Sequence, residues 1–106
     1  MDIKQAFALT LKTVRKDRDL TQEDFSETSS RTYISTLERG KKSITLEKLD
    51  QLALTLKIHP LTLVALTYSN IDPNNSLEKL LRTVESEIIN FTQIKLTPEW
   101  SSTYRL

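Results

Sequence analysis

Between Ser30 and Lys42 the chain concentrates polar side chains of one kind. Arg31, Thr32, Tyr33, Ser35, Thr36 and Arg39 surround only two apolar residues, Ile34 and Leu37, three apart, and Lys41 and Lys42 follow at once. Such a segment buries a narrow stripe and shows a broad hydrogen-bonding face. The chemistry open to that face is recognition. Arg31 can pair bidentately with the O6 and N7 of a guanine. Thr32, Ser35 and Thr36 can hydrogen-bond to bases or phosphates, and a threonine methyl can pack on a thymine methyl. Tyr33 can either reach a base or sugar or seal the edge of a core. Arg39, Lys41 and Lys42 are cations suited to phosphate oxygens, which position a protein on a duplex without reading its sequence.

Other chemistries lack their parts. The chain has no Cys, which excludes disulfides, thiolate metal sites and cysteine nucleophiles. Its single His, His59, precedes Pro60 and reads as a helix-boundary residue, with no second His to form a metal site. No nucleophile-elbow or phosphate-loop pattern occurs. We therefore expect no enzyme, no metal and no cofactor. No apolar run approaches the ~20 residues that span a bilayer, and the N-terminus lacks a signal-peptide pattern. A cytoplasmic protein without membrane contact is expected.

Charge alone argues little. The formal net charge is +1. Residues 1–69 hold eleven Lys/Arg against nine Asp/Glu, and residues 70–106 hold four against five. Phosphate affinity would have to come from where the cations lie, not from their sum.

The elements that must position the polar face are helical. One Gly and three Pro in 106 residues disfavour a turn-rich β fold. Ile3, Phe7, Leu11 and Val14 predict a first helix over Ile3 to Asp17. Its far end is basic, with Lys12, Arg15, Lys16 and Arg18. These residues either compensate the helix dipole in solvent or form a phosphate-facing edge. Thr21 and Asp24 resemble a capping box, and Leu20 with Phe25 a hydrophobic staple, so a short second helix is expected over 22–27. The third helix runs over 30–39 and stops at Gly40, the only glycine, where a left-handed residue costs a non-Gly side chain about 1 kcal/mol. Glu38 is assigned to structure, pairing with a neighbouring Arg. Thr45 caps a fourth helix that runs to Leu56, and Pro60 opens a fifth over 60–68. Residues 70–75 form a linker. Ser76 caps a sixth, amphipathic helix over 77–94 whose stripe is Leu77, Leu80, Leu81, Val84, Ile88 and Phe91. A tail of 95–106 carries Trp100 and Tyr104.

Leu20-Thr21-Gln22-Glu23-Asp24-Phe25, followed by Ser30 to Lys41 with its Tyr-Ile-Ser-Thr-Leu-Glu-Arg-Gly run, closely resembles the Cro/repressor-type helix-turn-helix family. Thr45-Leu46-Glu47-Lys48-Leu49 is similar to that family's fourth helix, and the resemblance covers about two-thirds of the chain, residues 3–68. It implies an all-α fold: a five-helix repressor-like DNA-binding domain over 1–69, followed by the C-terminal amphipathic helix. It implies that Arg31, Thr32 and Thr36 face bases and that Gln22 binds phosphate and braces the recognition helix. One departure stands out. The family carries about two more residues between the second and third helices, commonly with a Gly, whereas here only Thr28-Ser29 separates Glu27 from Ser30. Either the second helix ends early or the turn takes another geometry.

The functional expectation is a sequence-specific regulator of double-stranded DNA, a repressor that binds a palindromic operator. A single module contacts few base pairs, so a homodimer reading two half-sites is expected, with the sixth-helix stripe as its interface and Trp100 and Tyr104 packing across it. That stripe can alternatively fold back over the core. No small-molecule effector is expected. The competing reading is a protein-interaction module that uses the same fold to sequester another regulator or a toxin.

Overall fold

The computed structural model describes residues 1–95, with side chains as far as Thr92. The tail carrying Trp100 and Tyr104 lies outside the described residues. Among the described residues there are five α-helices and one short 3-10 helix and no strand. They are α1 (Ile3–Asp17), the 3-10 turn (Gln22–Phe25), α2 (Arg31–Glu38), α3 (Leu46–Leu56), α4 (Pro60–Ile71) and α5 (Leu77–Lys95). The chain divides into two units, Met1–Asn74 and a second that begins at Asn75.

The first unit closes its own core. Phe7, Leu11, Phe25, Ile34, Leu37, Leu49, Leu52, Ala53, Leu56 and Leu63 are buried together, and Val14, Leu20, Tyr33, Ile44, Ile58 and Val64 pack around them. Every helix of the unit contributes a stripe, as the 3.6-residue spacing requires. α1 packs along α4 and against α2. The Asn70 Nδ2 donates to Thr10 Oγ1 at 3.0 Å, which ties the end of α4 to the middle of α1. That tie helps carry α4 to Ile71, three residues past the expected Tyr68.

Local capping explains where the helices begin. Asp2 accepts from the Gln5 N–H at 2.8 Å while Gln5 Oε1 accepts from the Asp2 N–H at 3.2 Å. Ser30 accepts from the Tyr33 N–H, Thr45 from the Lys48 N–H and Ser76 from the Lys79 N–H, each at 3.1–3.2 Å. His59 is a cap too: its Nδ1 accepts from the Leu61 N–H at 3.0 Å.

The helix ends share one device. After α1, α2 and α3 the chain turns through a left-handed residue: Asp19 (φ 57°), Gly40 (φ 69°) and Lys57 (φ 58°). In each case two reverse hydrogen bonds close a Schellman motif. At α2 they run from Gly40 N to Leu37 O at 3.0 Å and from Lys41 N to Thr36 O at 3.2 Å. A Cβ on Gly40 would meet Gln5 only at 3.5 Å, so its glycine serves the backbone angle rather than a close approach. Lys57 takes the same angle with a side chain. Lys57→Gly is expected to stabilise the fold by up to about 1 kcal/mol, read as a raised urea midpoint with an unchanged slope.

The second element differs from expectation. In place of a helix over 22–27 there is a four-residue 3-10 turn that ends at Phe25. Asp24 accepts from both the backbone N–H and the hydroxyl of Thr21, at 2.6 and 3.1 Å, which tightens the start. Ser26 N then bonds to Glu23 O, and both Thr28 N and Ser29 N converge on Phe25 O. The element stops early because Phe25 is pulled fully into the core while only Thr28 and Ser29 remain to reach Ser30. Of the two outcomes left open by the missing glycine, this is the first.

Candidate nucleic-acid interface

α2 is held by Ile34 and Leu37, both fully buried. At about 100° per residue, Thr32, Ser35, Thr36 and Arg39 fall within one wedge on the opposite side. Thr32 and Arg39 are exposed, Ser35 and Thr36 half-buried. Two contacts order this outer face. The Thr36 hydroxyl donates to Thr32 O at 2.8 Å, which uses its one proton within the helix and leaves its oxygen able to accept. The Arg39 Nε donates to Ser35 O at 3.3 Å, which lays the guanidinium along the helix.

Arg31 and Tyr33 flank the wedge. Arg31 is exposed and its Nη1 meets Glu23 Oε1 of the 3-10 turn at 3.1 Å. Both partners are about 70% solvent-exposed, so the pair is weak and readily exchanged for another acceptor. Tyr33 is half-buried against the core, and burial pushes its phenol above the ordinary tyrosine value. Its ring lies under two ammonium groups, Lys42 at 5.2 Å and Lys48 at 5.4 Å from the centroid. Tyr33 thus seals the edge of the core while its ring steers Lys42.

Beneath α2 lies a network of buried charge. The Arg15 Nε and Nη2 donate to the two oxygens of Glu38 at 2.6 and 2.9 Å, and Nη1 donates to Leu20 O at 2.8 Å. The side chains are only 10% and 4% exposed. The hydrogen bonds and charge of Glu38 hold the Arg15 guanidinium above its ordinary value against the opposing cost of burial. Gln22 joins through its Nε2, 3.2 Å from Glu38 Oε1. The pair clamps α1 to α2, and Gln22 fixes the 3-10 turn to the same carboxylate. Arg15 is therefore neither the solvated residue nor the phosphate-facing edge that its basic stretch suggested. The Glu38 partner is an Arg 23 positions earlier, not a neighbour in sequence.

The connection without glycine is held from outside. The Lys48 Nζ donates to Thr28 O at 2.6 Å and to Ser29 Oγ at 3.2 Å, and Ser29 is buried. Sequence reasoning missed Lys48, yet a signal existed. A cation in the first turn of a helix opposes the dipole, so a Lys three residues after the Thr45 cap marks a side chain with another task.

The electrostatics of the face are uneven. A polar recess of about 390 Å³ is lined by Arg15, Thr21, Gln22, Glu23 and Arg31. Its two guanidinium groups are each answered by a carboxylate, so it carries little net charge. At the other end of α2, Arg39, Lys41 and Lys42 are exposed and make no ion pair among the described residues. No cluster of His, Asp or Glu suited to a metal occurs among the described residues. No single helix there is long and apolar enough to cross a membrane.

A helix-turn-helix family model matches residues 11–63, half of the chain, and spans everything from the middle of α1 into α4. In structure the chain is similar to the restriction-modification controller protein C.Esp1396I, solved as a tetramer in complex with its natural 35 base-pair operator. That likeness has 23% identity and a TM-score of 0.60 over 67% of this chain and 96% of that one. It is also similar to the clp gene regulator ClgR from Corynebacterium glutamicum, with 18% identity and a TM-score of 0.61 over 92% of this chain and 98% of that one. These likenesses establish the all-α fold. No curated protein sequence matches the chain.

Proposed function

The chain belongs to the Cro/C1-type helix-turn-helix family of DNA-binding transcription regulators, and from that premise we propose that it is a cytoplasmic repressor that binds a palindromic double-stranded operator as a homodimer. The observation that carries this reading is α2 itself. Its two buried residues fix it to the core, and the side turned away presents hydroxyls and guanidinium groups in a row. That inventory fits the donor and acceptor pattern of the major groove.

Roles follow from position. Arg31, Thr32 and Thr36 read bases, and Ser35 lies beside them. Arg31 exchanges its exposed Glu23 partner for a guanine edge. Arg39, Lys41 and Lys42 take phosphates beyond the C-terminal end of α2, where no carboxylate pairs with them among the described residues. Gln22 contacts the backbone on the other side and braces α2 through Glu38. Tyr33 acts by holding Lys42 toward the duplex. Operator binding by a protein of the same fold, the controller protein bound to its 35 base-pair operator, supports the reading.

The homodimer uses Leu77, Leu80, Leu81, Val84, Ile88 and Phe91 of α5. All are exposed except the half-buried Leu80. Two copies would then meet half-sites one helical turn apart, about 34–36 Å. Leu81→Glu places a charge in the middle of that stripe and is expected to yield monomers by light scattering. A dimer of unchanged mass would remove α5 from the interface.

Selection from random duplexes with the purified protein tests the function. The expected result is one enriched sequence with two-fold symmetry. Failure to enrich any sequence at low salt would overturn the DNA-reading proposal.

A further inference from the structure

The unit that begins at Asn75 contains one described helix, and a lone helix has nothing of its own against which to bury an apolar face. Along α5, the exposed Leu77, Leu81, Val84, Ile88 and Phe91 follow one another in alternating steps of four and three. That is a period of 3.5, the spacing of a left-handed coiled-coil seam, with Leu80 at its edge. In heptad terms Leu81 and Ile88 are a positions, and Leu77, Val84 and Phe91 are d positions.

We propose that α5 pairs with α5 of a second copy as a parallel, in-register, two-stranded coiled coil. This rests on the homodimer reading above and adds the direction and register of the pair. Two features of the sequence select the direction. The first is the match of apolar side chains. A parallel pair sets each of the five seam residues against its own copy, and none is left over. An antiparallel pair must set a positions against d positions. In one such register Phe91 meets Asn74 of the second copy, and in the other Leu77 falls beyond Phe91 and finds no apolar partner. Either way a large apolar residue at one end loses its partner.

The second feature is charge. The positions that flank the seam hold Glu78, Glu85 and Glu87 and no cation. Glu78 is answered within its own helix by Arg82, whereas Glu85 and Glu87 make no ion pair among the described residues. In a parallel pair each g residue lies beside the e residue five further along the second copy. Leu80 then lies beside Glu85, and Glu87 beside Thr92, so no two glutamates meet. The first antiparallel register puts Glu78 beside Glu85. The second brings Glu85 against Glu85 and Glu87 against Glu87. Like charges at these positions disfavour the pairing.

The chain has no cysteine, so an introduced thiol reports unambiguously. Leu77→Cys and Phe91→Cys are prepared separately as full-length proteins and oxidised gently, alone and mixed, with the mass of each unoxidised variant checked by sedimentation. The parallel pair brings Leu77 to Leu77 and keeps Leu77 and Phe91 of different copies roughly 21 Å apart, beyond disulfide reach. Each variant alone is expected to form a covalent dimer at least about tenfold faster than the mixed species forms. A mixed disulfide that dominates would overturn the parallel arrangement and leave the homodimer standing. Monomers of the unmodified protein by sedimentation would overturn both. Dimers that form neither disulfide would place the interface outside the seam and overturn the proposal while the homodimer survives.

Discussion

Glu38→Ala is expected to cost about 3 kcal/mol of folding free energy, the lower end of the range for breaking a buried ion pair, because Arg15 keeps some contact with solvent. The loss comes mostly from what remains. Arg15 would keep its bond to Leu20 O, but the Nε and Nη2 that now face the Glu38 carboxylate would be left in a protein interior without an acceptor. Domains of this size hold roughly 0.05–0.15 kcal/mol per residue, so the change removes a large share of the stability of the Met1–Asn74 unit. Urea denaturation at neutral pH measures it. A change under about 0.5 kcal/mol would show that the pair is not buried in solution.

The double variant Arg15→Met, Glu38→Leu separates stability from function. Replacing both charges with apolar groups is expected to recover most of the loss. It does not restore the acceptor of the Gln22 amide. DNA affinity is therefore expected to stay reduced in a protein that folds well, which a merely structural role for the pair would not produce.

Salt is expected to weaken operator binding by about 250- to 1,000-fold between 50 and 200 mM, from a log–log slope of about −4 to −5 for four to six phosphate contacts per dimer. The near-zero net charge does not soften this, because counterion release counts local contacts rather than the total. Arg39, Lys41 and Lys42 carry the expectation, since no carboxylate pairs with them among the described residues. Lys41→Ala is expected to weaken all sequences about equally and to flatten the slope by about two, one unit for each copy. Fluorescence anisotropy titrations across the salt range read both quantities. A slope near −1 would mean that the cations beyond α2 do not meet the backbone.

Much of this was written in local sequence. The helix starts at Ser30, Thr45 and Ser76 each follow from a hydroxyl that accepts from the N–H three residues on. The exposed and buried sides of α2 follow from Ile34 and Leu37 alone. What escaped were contacts between residues far apart in sequence. The basic end of α1 looked uniform, and nothing local distinguishes Arg15 from Lys16; only packing against α2 brings it to Glu38. The length of the second helix was missed for a related reason. Its capping signals announce a start, but its end is set by the burial of Phe25 and by Lys48 reaching back from α3 to Thr28 O. The Glu23 partner of Arg31 was equally invisible, because the pair exists only once the 3-10 turn has fixed its distance from α2.

The central claim is that α2 reads bases. It is tested most directly by comparing the sequence preferences of the wild-type protein and Arg31→Ala in parallel selections from the same duplex pool. The account expects both proteins to enrich the same palindrome, with Arg31→Ala losing preference at one position in each half-site, mirrored about the centre, by about 1–3 kcal/mol of discrimination. Two identical profiles, or a uniform loss at every position, would contradict it: Arg31 would then lie off the bases, and α2 would not be the element that reads them.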